Sequence, residues 1–268
     1  MIVYDTCTAS GRFLTSKYDG THTQQDEGDL FRLANPSGRM PSLNRFADTD
    51  STYNRIERGM KFYAARPWLM GFFYWTGFDY RGEPVPLSYP ATGSQFGVFD
   101  YCGFPKDEAY YLKACWIPDK PIVHLLPHWN LEGHEGENVD IWAYSNCEEV
   151  ELFVNGKNMG RKTMPQNGHL SWTAIYQPGK LEAIGYIGGR KVTSEHLETA
   201  GSAKNVRIEK HTYHDITVAD ISVIDSKGRL VPTSCAQLTV ESDVNMIGWG
   251  NGDSAFTGME HAKDLSTK

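Results

Sequence analysis

Between residues 122 and 187, apolar and polar side chains trade places at every second position in short runs separated by turn residues. This pattern restricts the fold more than any other feature of the 268-residue chain. The runs at 122–126, 139–144, 150–154, 169–176 and 181–187 are of strand length, and their period of two sends one set of side chains to a buried face. Asn155-Gly156 and Gly188-Gly189 follow two of these runs, and both dipeptides accept the positive φ of a tight turn. Short strands with regular turn signals predict an antiparallel sandwich of immunoglobulin type over residues 119–201. Trp142 and Trp172 sit within the alternation and are expected in the core, not on a sugar-stacking surface.

A second sandwich is expected over residues 202–268, with strands at 206–209, 216–224 and 238–240 and a turn at Ser226-Lys227-Gly228. Residues 246–253 are punctuated by glycine, and beyond them the strand pattern is lost. About four strands are visible where about seven close such a domain, so it is expected to be truncated.

Residues 1–118 have another character. Tyr53, Ile56, Met60 and Tyr63 recur at helical spacing, which predicts an amphipathic helix over 51–65 that ends before Arg66-Pro67. The aromatic run 69–75 stops at Gly77, and Asp79, Tyr80, Arg81 and Glu83 follow, the pattern of a buried parallel strand that delivers polar groups to a rim. Helix, buried strand and polar rim in that order suggest a βα-barrel. Residues 107–116 read as a closing helix capped by Asp107, and the prolines at 118 and 121 mark a linker. Residues 19–54 are polar and read as a long, lid-like excursion. The apolar triplet 2–4 runs into Asp5 and then small polar residues; Asp5 is either a carboxylate at the end of a barrel strand or a helix N-cap.

Composition excludes several classes of partner. With 33 acidic and 26 basic residues the net charge is -7, and no basic stripe is available to displace counterions from a nucleic-acid backbone. No apolar stretch approaches the length of a membrane span, and residues 1–5 lack a basic region leading into a cleavable apolar core, so neither membrane nor leader is expected. Cys7, Cys102, Cys115, Cys147 and Cys235 are scattered and odd in number, as buried thiols would be. His124 with His128, and His211 with His214, have metal-like separations; Pro127 and the strand-like setting of the second pair argue against ligation.

The stretch 75–84, together with 96–107 and His124-Leu125-Leu126-Pro127-His128-Trp129-Asn130, resembles the family-2 glycoside hydrolases, specifically their bacterial β-galactosidase-like members. The hairpin at 150–157 is similar to the sandwich that follows their barrel, and 248–253 to the domain after it. The resemblance implies a multidomain fold. Residues 1–118 would be the C-terminal end of a (β/α)8 TIM barrel, with immunoglobulin-like β-sandwich domains over 119–201 and 202–268. It implies hydrolysis of terminal β-linked sugars with retention, by a carboxylate nucleophile and a carboxylic acid/base.

Residue by residue, Asp5 stands at the nucleophile position, where the family has a glutamate at the end of strand seven. The shorter side chain retracts the attacking oxygen by about an ångström. The acid/base glutamate belongs to strand four, which would lie upstream of Met1. Trp75 matches the tryptophan that floors the sugar subsite. Asp79 and Tyr80 follow on the rim, where they bind sugar hydroxyls or anchor the loop; Asp100 and Glu83 are expected to orient loops. No cofactor is required; some relatives hold magnesium or sodium near the site, and no clear ligand set stands out in this chain. The expected partners are a β-galactoside-like carbohydrate and a second copy of the chain or a complementing barrel segment. Family members are often periplasmic or secreted in bacteria. A non-catalytic carbohydrate-binding or assembly module, and a degenerate homologue whose Asp5 marks lost catalysis, are the alternatives.

Overall fold

In chain order the protein forms β1 (Ile2–Asp5), α1 (Arg55–Ala64), β2 (Tyr80–Arg81), β3 (Gly93–Ser94), α2 (Asp107–Trp116), β4 (Val123–Leu126), β5 (Asn138–Ser145), β6 (Glu149–Val154), β7 (Lys157–Thr163), β8 (Leu170–Ile175), β9 (Lys180–Ile187), β10 (Arg190–Glu198), β11 (Asn205–Tyr213), β12 (Ile216–Ile224) and β13 (Gly248–Gly250). The structure, a computed structural model, describes residues 2–5, 55–70, 74, 76–82, 93–94, 97–234, 236, 238–243 and 245–250.

The predicted alternation is carried by two antiparallel sheets, ordered β4-β5-β8 and β10-β9-β6-β7. Their inward side chains share one core: Val123, Leu125, Ile141, Ala143 and Trp172 from the first sheet meet Val150, Leu152, Leu181 and Ala183 from the second. Each fully buried valine, leucine or isoleucine among them contributes about 1.5–3 kcal/mol of transfer free energy. The hairpins turn where the sequence predicts. Asn155 and Gly156 have φ of 50° and 79°, and Gly188 and Gly189 have 55° and 73°.

The β4-β5-β8 sheet is covered on its other face too. Because side chains alternate along β5, Ile141 and Ala143 enter the sandwich core while Trp142 and Tyr144 point outward. There they pack with Leu126, with Tyr111 and Leu112 of α2, with Val98, and with Met60 of α1 alongside. Both tryptophans singled out in the alternation are therefore buried, Trp172 inside the sandwich and Trp142 between it and the helices. Helix α1 is held to this layer by a buried carboxylate. Glu57 pairs with Lys61 at 2.6 Å and with His169 Nδ1 at 2.7 Å, and the His169 ring stacks on Trp142 at 3.8 Å.

Three expectations are corrected. The described part of the run 69–75 contains no buried strand: Leu69 and Met70 are exposed, and Tyr74 belongs to no strand, while 71–73 and 75 lie outside the described residues. The backbone explains this, since the N–H groups of Arg66 and Leu69 donate to the carbonyls of Tyr63 and Arg66 and are spent within a local turn around Pro67. Helix α2 is not capped by Asp107. Lys106 occupies the N-cap, and Asp107 is the first helical residue, its carboxylate drawn to His124. Residues 238–240 form no strand, although Leu238 and Val240 pack against Ala219 and Ile221 of β12.

Strand β1 lies between β12 and β13, parallel to both, with Ile2 opposite Val218 and Gly248. Pairing on both sides satisfies backbone groups that a lone four-residue strand would leave to water. The described part of residues 55–118 contains two helices, the short antiparallel pair β2-β3 and no parallel pair of strands. Beyond the sandwich, β11 and β12 form a hairpin in register from Asn205 opposite Ile224 to Tyr213 opposite Ile216. Replacing Trp142 with alanine empties the layer between sandwich and helices and is expected to cost about 3–5 kcal/mol. Denaturant unfolding measures this, with the exposed Ile175→Ala as a control within about 0.5 kcal/mol; a loss below about 1 kcal/mol for Trp142→Ala would contradict this packing.

Candidate functional site

Residues 76–82 form a loop laced to the segment 93–106 by its backbone. Val98 and Phe99 donate to the carbonyls of Thr76 and Gly77, Asp79 donates to Phe99, and Lys106 donates to Val98, all within 2.8–3.3 Å. Tyr80 and Arg81 pair with Ser94 and Gly93. The Phe78 ring stacks on Phe99 at 5.4 Å, and the Tyr101 hydroxyl donates to the Tyr80 carbonyl at 3.0 Å.

At the centre of this lacing is a buried ion pair. Lys106 Nζ reaches Asp79 Oδ1 at 2.7 Å, with the two side chains 1% and 3% exposed. The same oxygen accepts the Gly97 N–H at 2.8 Å. Burial pushes the Asp79 carboxyl up to about 7, against the downward pull of the Lys106 ammonium and the Gly97 N–H. The close approach requires glycine at 97: a Cβ there would lie 2.2 Å from the Asp79 nitrogen and 2.3 Å from the Phe78 carbonyl carbon. Asp100 shapes the return of the segment, its Oδ1 accepting the N–H groups of Cys102 and Phe104.

The sequence-predicted residues are distributed as follows. Asp79 and Tyr80 share the laced loop, with the Asp79 carboxylate turned inward to Lys106 and Gly97 and Tyr80 half-buried. Asp5 ends β1, whose neighbours are β12 and β13 and not the loop; its side chain lies outside the described residues, as do Trp75 and Glu83, so the distance from Asp5 to Trp75 does too. Lys106 lies within the 96–107 motif, which by itself assigns it no role. One signal was available: a lysine immediately before a helix opposes the helix dipole, so it needs an acid to hold it there.

The histidine pairs separate into different tasks. His124 bridges two carboxylates, whereas the His128 ring is buried and its Nδ1 accepts the Asn130 N–H at 3.2 Å. Burial pulls His128 down to about 4, so it is neutral at pH 7. His211 pairs with Asp220 at 3.4 Å, and His214 takes the positive φ of the β11-β12 turn. Among the described residues no group of three or more His, Cys, Asp or Glu side chains is disposed to hold a metal ion. Cys147 is buried and Cys102 and Cys115 are half-buried, all as free thiols.

Against known proteins, residues 136–193 match a family profile described as a domain of unknown function (DUF4982). The chain is 36% identical over 225 residues to a β-galactosidase of Bacteroides ovatus, covering 80% of this chain and 26% of that protein. Among solved structures it is similar to a β-glycosidase from Bacteroides vulgatus, with a TM-score of 0.61, 33% identity, and coverage of 65% of this chain and 23% of that one. It is also similar to a β-glucuronidase from glycoside hydrolase family 2, with a TM-score of 0.55, 26% identity, and coverage of 71% and 21%. The chain spans about a quarter of the length of the relatives it matches.

The buried neutral state of His128 makes folding sensitive to acid. Its folded pKa of about 4 lies below the ordinary value of 6.5, so its contribution is constant above about pH 6.5 and is lost as pH falls through 4. The loss amounts to about 3 kcal/mol. Urea unfolding of the wild type and His128→Gln at pH 7 and pH 4 measures it: the stability difference between the two is expected to shrink or reverse at the lower pH. An unchanged difference would show that His128 is protonated in the folded protein.

Proposed function

Because the chain belongs to glycoside hydrolase family 2, matching the C-terminal region of such proteins, we propose that it is part of a retaining, exo-acting hydrolase of terminal β-linked sugars, with β-galactosides as substrate. The observation that carries this reading is the 36% identity with the Bacteroides ovatus β-galactosidase across 80% of the chain.

In this reading the sugar rests with its apolar C–H face on Trp75, and residues 76–82, which follow directly, form the rim. The geometry favours an anchoring role for Asp79 over hydroxyl recognition, because its carboxylate is engaged by Lys106 and Gly97 inside the protein. Its service is to hold the rim still, and a misplacement of about an ångström costs on the order of 100-fold in rate. Asp5 takes the nucleophile position, and the acid/base comes from elsewhere in the complete protein. Retention requires the two carboxyl groups to lie about 5–5.5 Å apart.

The test uses the full-length protein carrying this chain and compares 4-nitrophenyl β-D-galactoside with the corresponding β-D-glucuronide. Galactoside hydrolysis is expected to be the faster, to fall on the order of 100-fold in kcat/KM for Trp75→Ala, and to vanish for Asp5→Ala. Preferential cleavage of the glucuronide would overturn the galactoside assignment. Sugar binding with no turnover would replace the hydrolase reading with that of a carbohydrate-binding module or a degenerate homologue.

A further inference from the structure

Lys106 and Asp107 are adjacent in sequence, and their side chains reach in different directions. The first holds Asp79 of the laced loop at 2.7 Å. The second accepts from His124 Nε2 of β4 at 2.8 Å. On its other side the imidazole meets Glu195 of β10, Nδ1 to Oε1 at 3.3 Å, and the second oxygen of Glu195 accepts the backbone N–H of Leu125. Tyr110, in the first turn of α2, lies flat on the imidazole at 3.8 Å with the planes 9° apart. Glu195, His124, Asp107, Lys106 and Asp79 thus form an unbroken series from the edge of the sandwich to the loop at residues 76–82.

We propose that His124 is a positioning residue through which the sandwich sets the placement of the 76–82 loop. This rests on the reading of that loop as the rim of a sugar site, and it assigns the sandwich a part in the site beyond covering the helices. The physical reason is the charge at its centre. One imidazolium bridges Asp107, at the start of a helix, and Glu195, on a strand of the opposite sheet, so it fixes the first turn of α2 relative to both sheets. The covalent link from Asp107 to Lys106 passes that constraint to the ammonium that holds Asp79.

The groups that face His124 are Asp107 and Tyr110 from α2, Glu195 from β10 and, opposite it in the β4-β5 register, Tyr144. Burial pulls its pKa down, but the hydrogen bonds to Asp107 and Glu195 outweigh that and raise it to about 9. A raised value means that the joint is fully formed below about pH 6.5 and is lost as pH rises through about 9.

Amide hydrogen exchange on the full-length protein, corrected for the intrinsic pH dependence, tests this. His124→Gln keeps hydrogen-bonding atoms but removes the charge. It is expected to speed exchange across residues 76–106 by about 10-fold while the peptides of β6 and β9 stay unchanged. In the wild type, exchange of 76–106 is expected to step upward between pH 7 and pH 10, and the variant is expected to show no such step. With 4-nitrophenyl β-D-galactoside the variant is expected to raise KM about 10-fold with kcat changed less. A folded His124→Gln protein with wild-type exchange at 76–106, or a wild type with no step, would overturn the proposal. If the variant fails to fold, the wild-type pH series decides alone. A wild type that cleaves no β-glycoside would defeat the functional reading, while the exchange experiment would still decide the role of His124.

Discussion

The buried pair of Asp79 and Lys106 is the interaction on which the arrangement of the upstream segment depends. Two charges withdrawn from water gain little net stability from each other, because desolvation offsets most of their attraction. What they provide is location. A carboxylate that must stay beside one ammonium and one amide N–H leaves the loop at 76–82 a single position relative to 97–106. Gly97 makes that position accessible, since any side chain there would collide with the backbone of Phe78 and Asp79. The pair also resolves a local conflict, for Lys106 stands at the positive end of α2 and is held there by the acid opposite.

That locked segment is mounted on a sheet with two buried faces. Strand β5 sends Ile141 and Ala143 into the sandwich and Trp142 and Tyr144 toward the helices, so sandwich and helices share one wall. Apolar packing supplies the cohesion, and two charged clamps fix the angle: Glu57 with His169 at α1, and Asp107 with His124 at α2. Each clamp places a histidine, His124 in β4 or His169 just before β8, against a carboxylate of a helix. For a family-2 glycoside hydrolase, this makes the sandwich part of the support of the loop and not only a neighbour of it.

Much of this was legible in the sequence where the signal is local. The period-two runs, the Asn155-Gly156 and Gly188-Gly189 turns and the helix at 107–116 depend on spacing within a few residues, and each appears where the spacing predicts. At Leu69 and Met70 the apolar composition suggests a buried strand, whereas the turn around Pro67 takes up the Leu69 N–H and leaves both side chains exposed. Asp107 misleads in its own way: its type suits an N-cap, but a histidine 17 positions away competes for its carboxylate. The links that organise the candidate site and the helices behind it join residues 27, 71 and 112 positions apart, and no periodicity reports such distances. The pairing of β1 with residues 218–221 and 248–250 is equally nonlocal. Asp5 and Trp75 rest on the family resemblance, since neither side chain is among those described.

The most direct test of the account is a double-mutant cycle on the full-length protein, comparing the unfolding free energies of Asp79→Asn, Lys106→Met and the two combined. The buried pair predicts a coupling energy of about 2–3 kcal/mol, with the combined variant far less destabilised than the sum of the single ones. Additivity within about 0.5 kcal/mol would mean that the two charges do not hold each other, and the loop at 76–82 would then need another anchor.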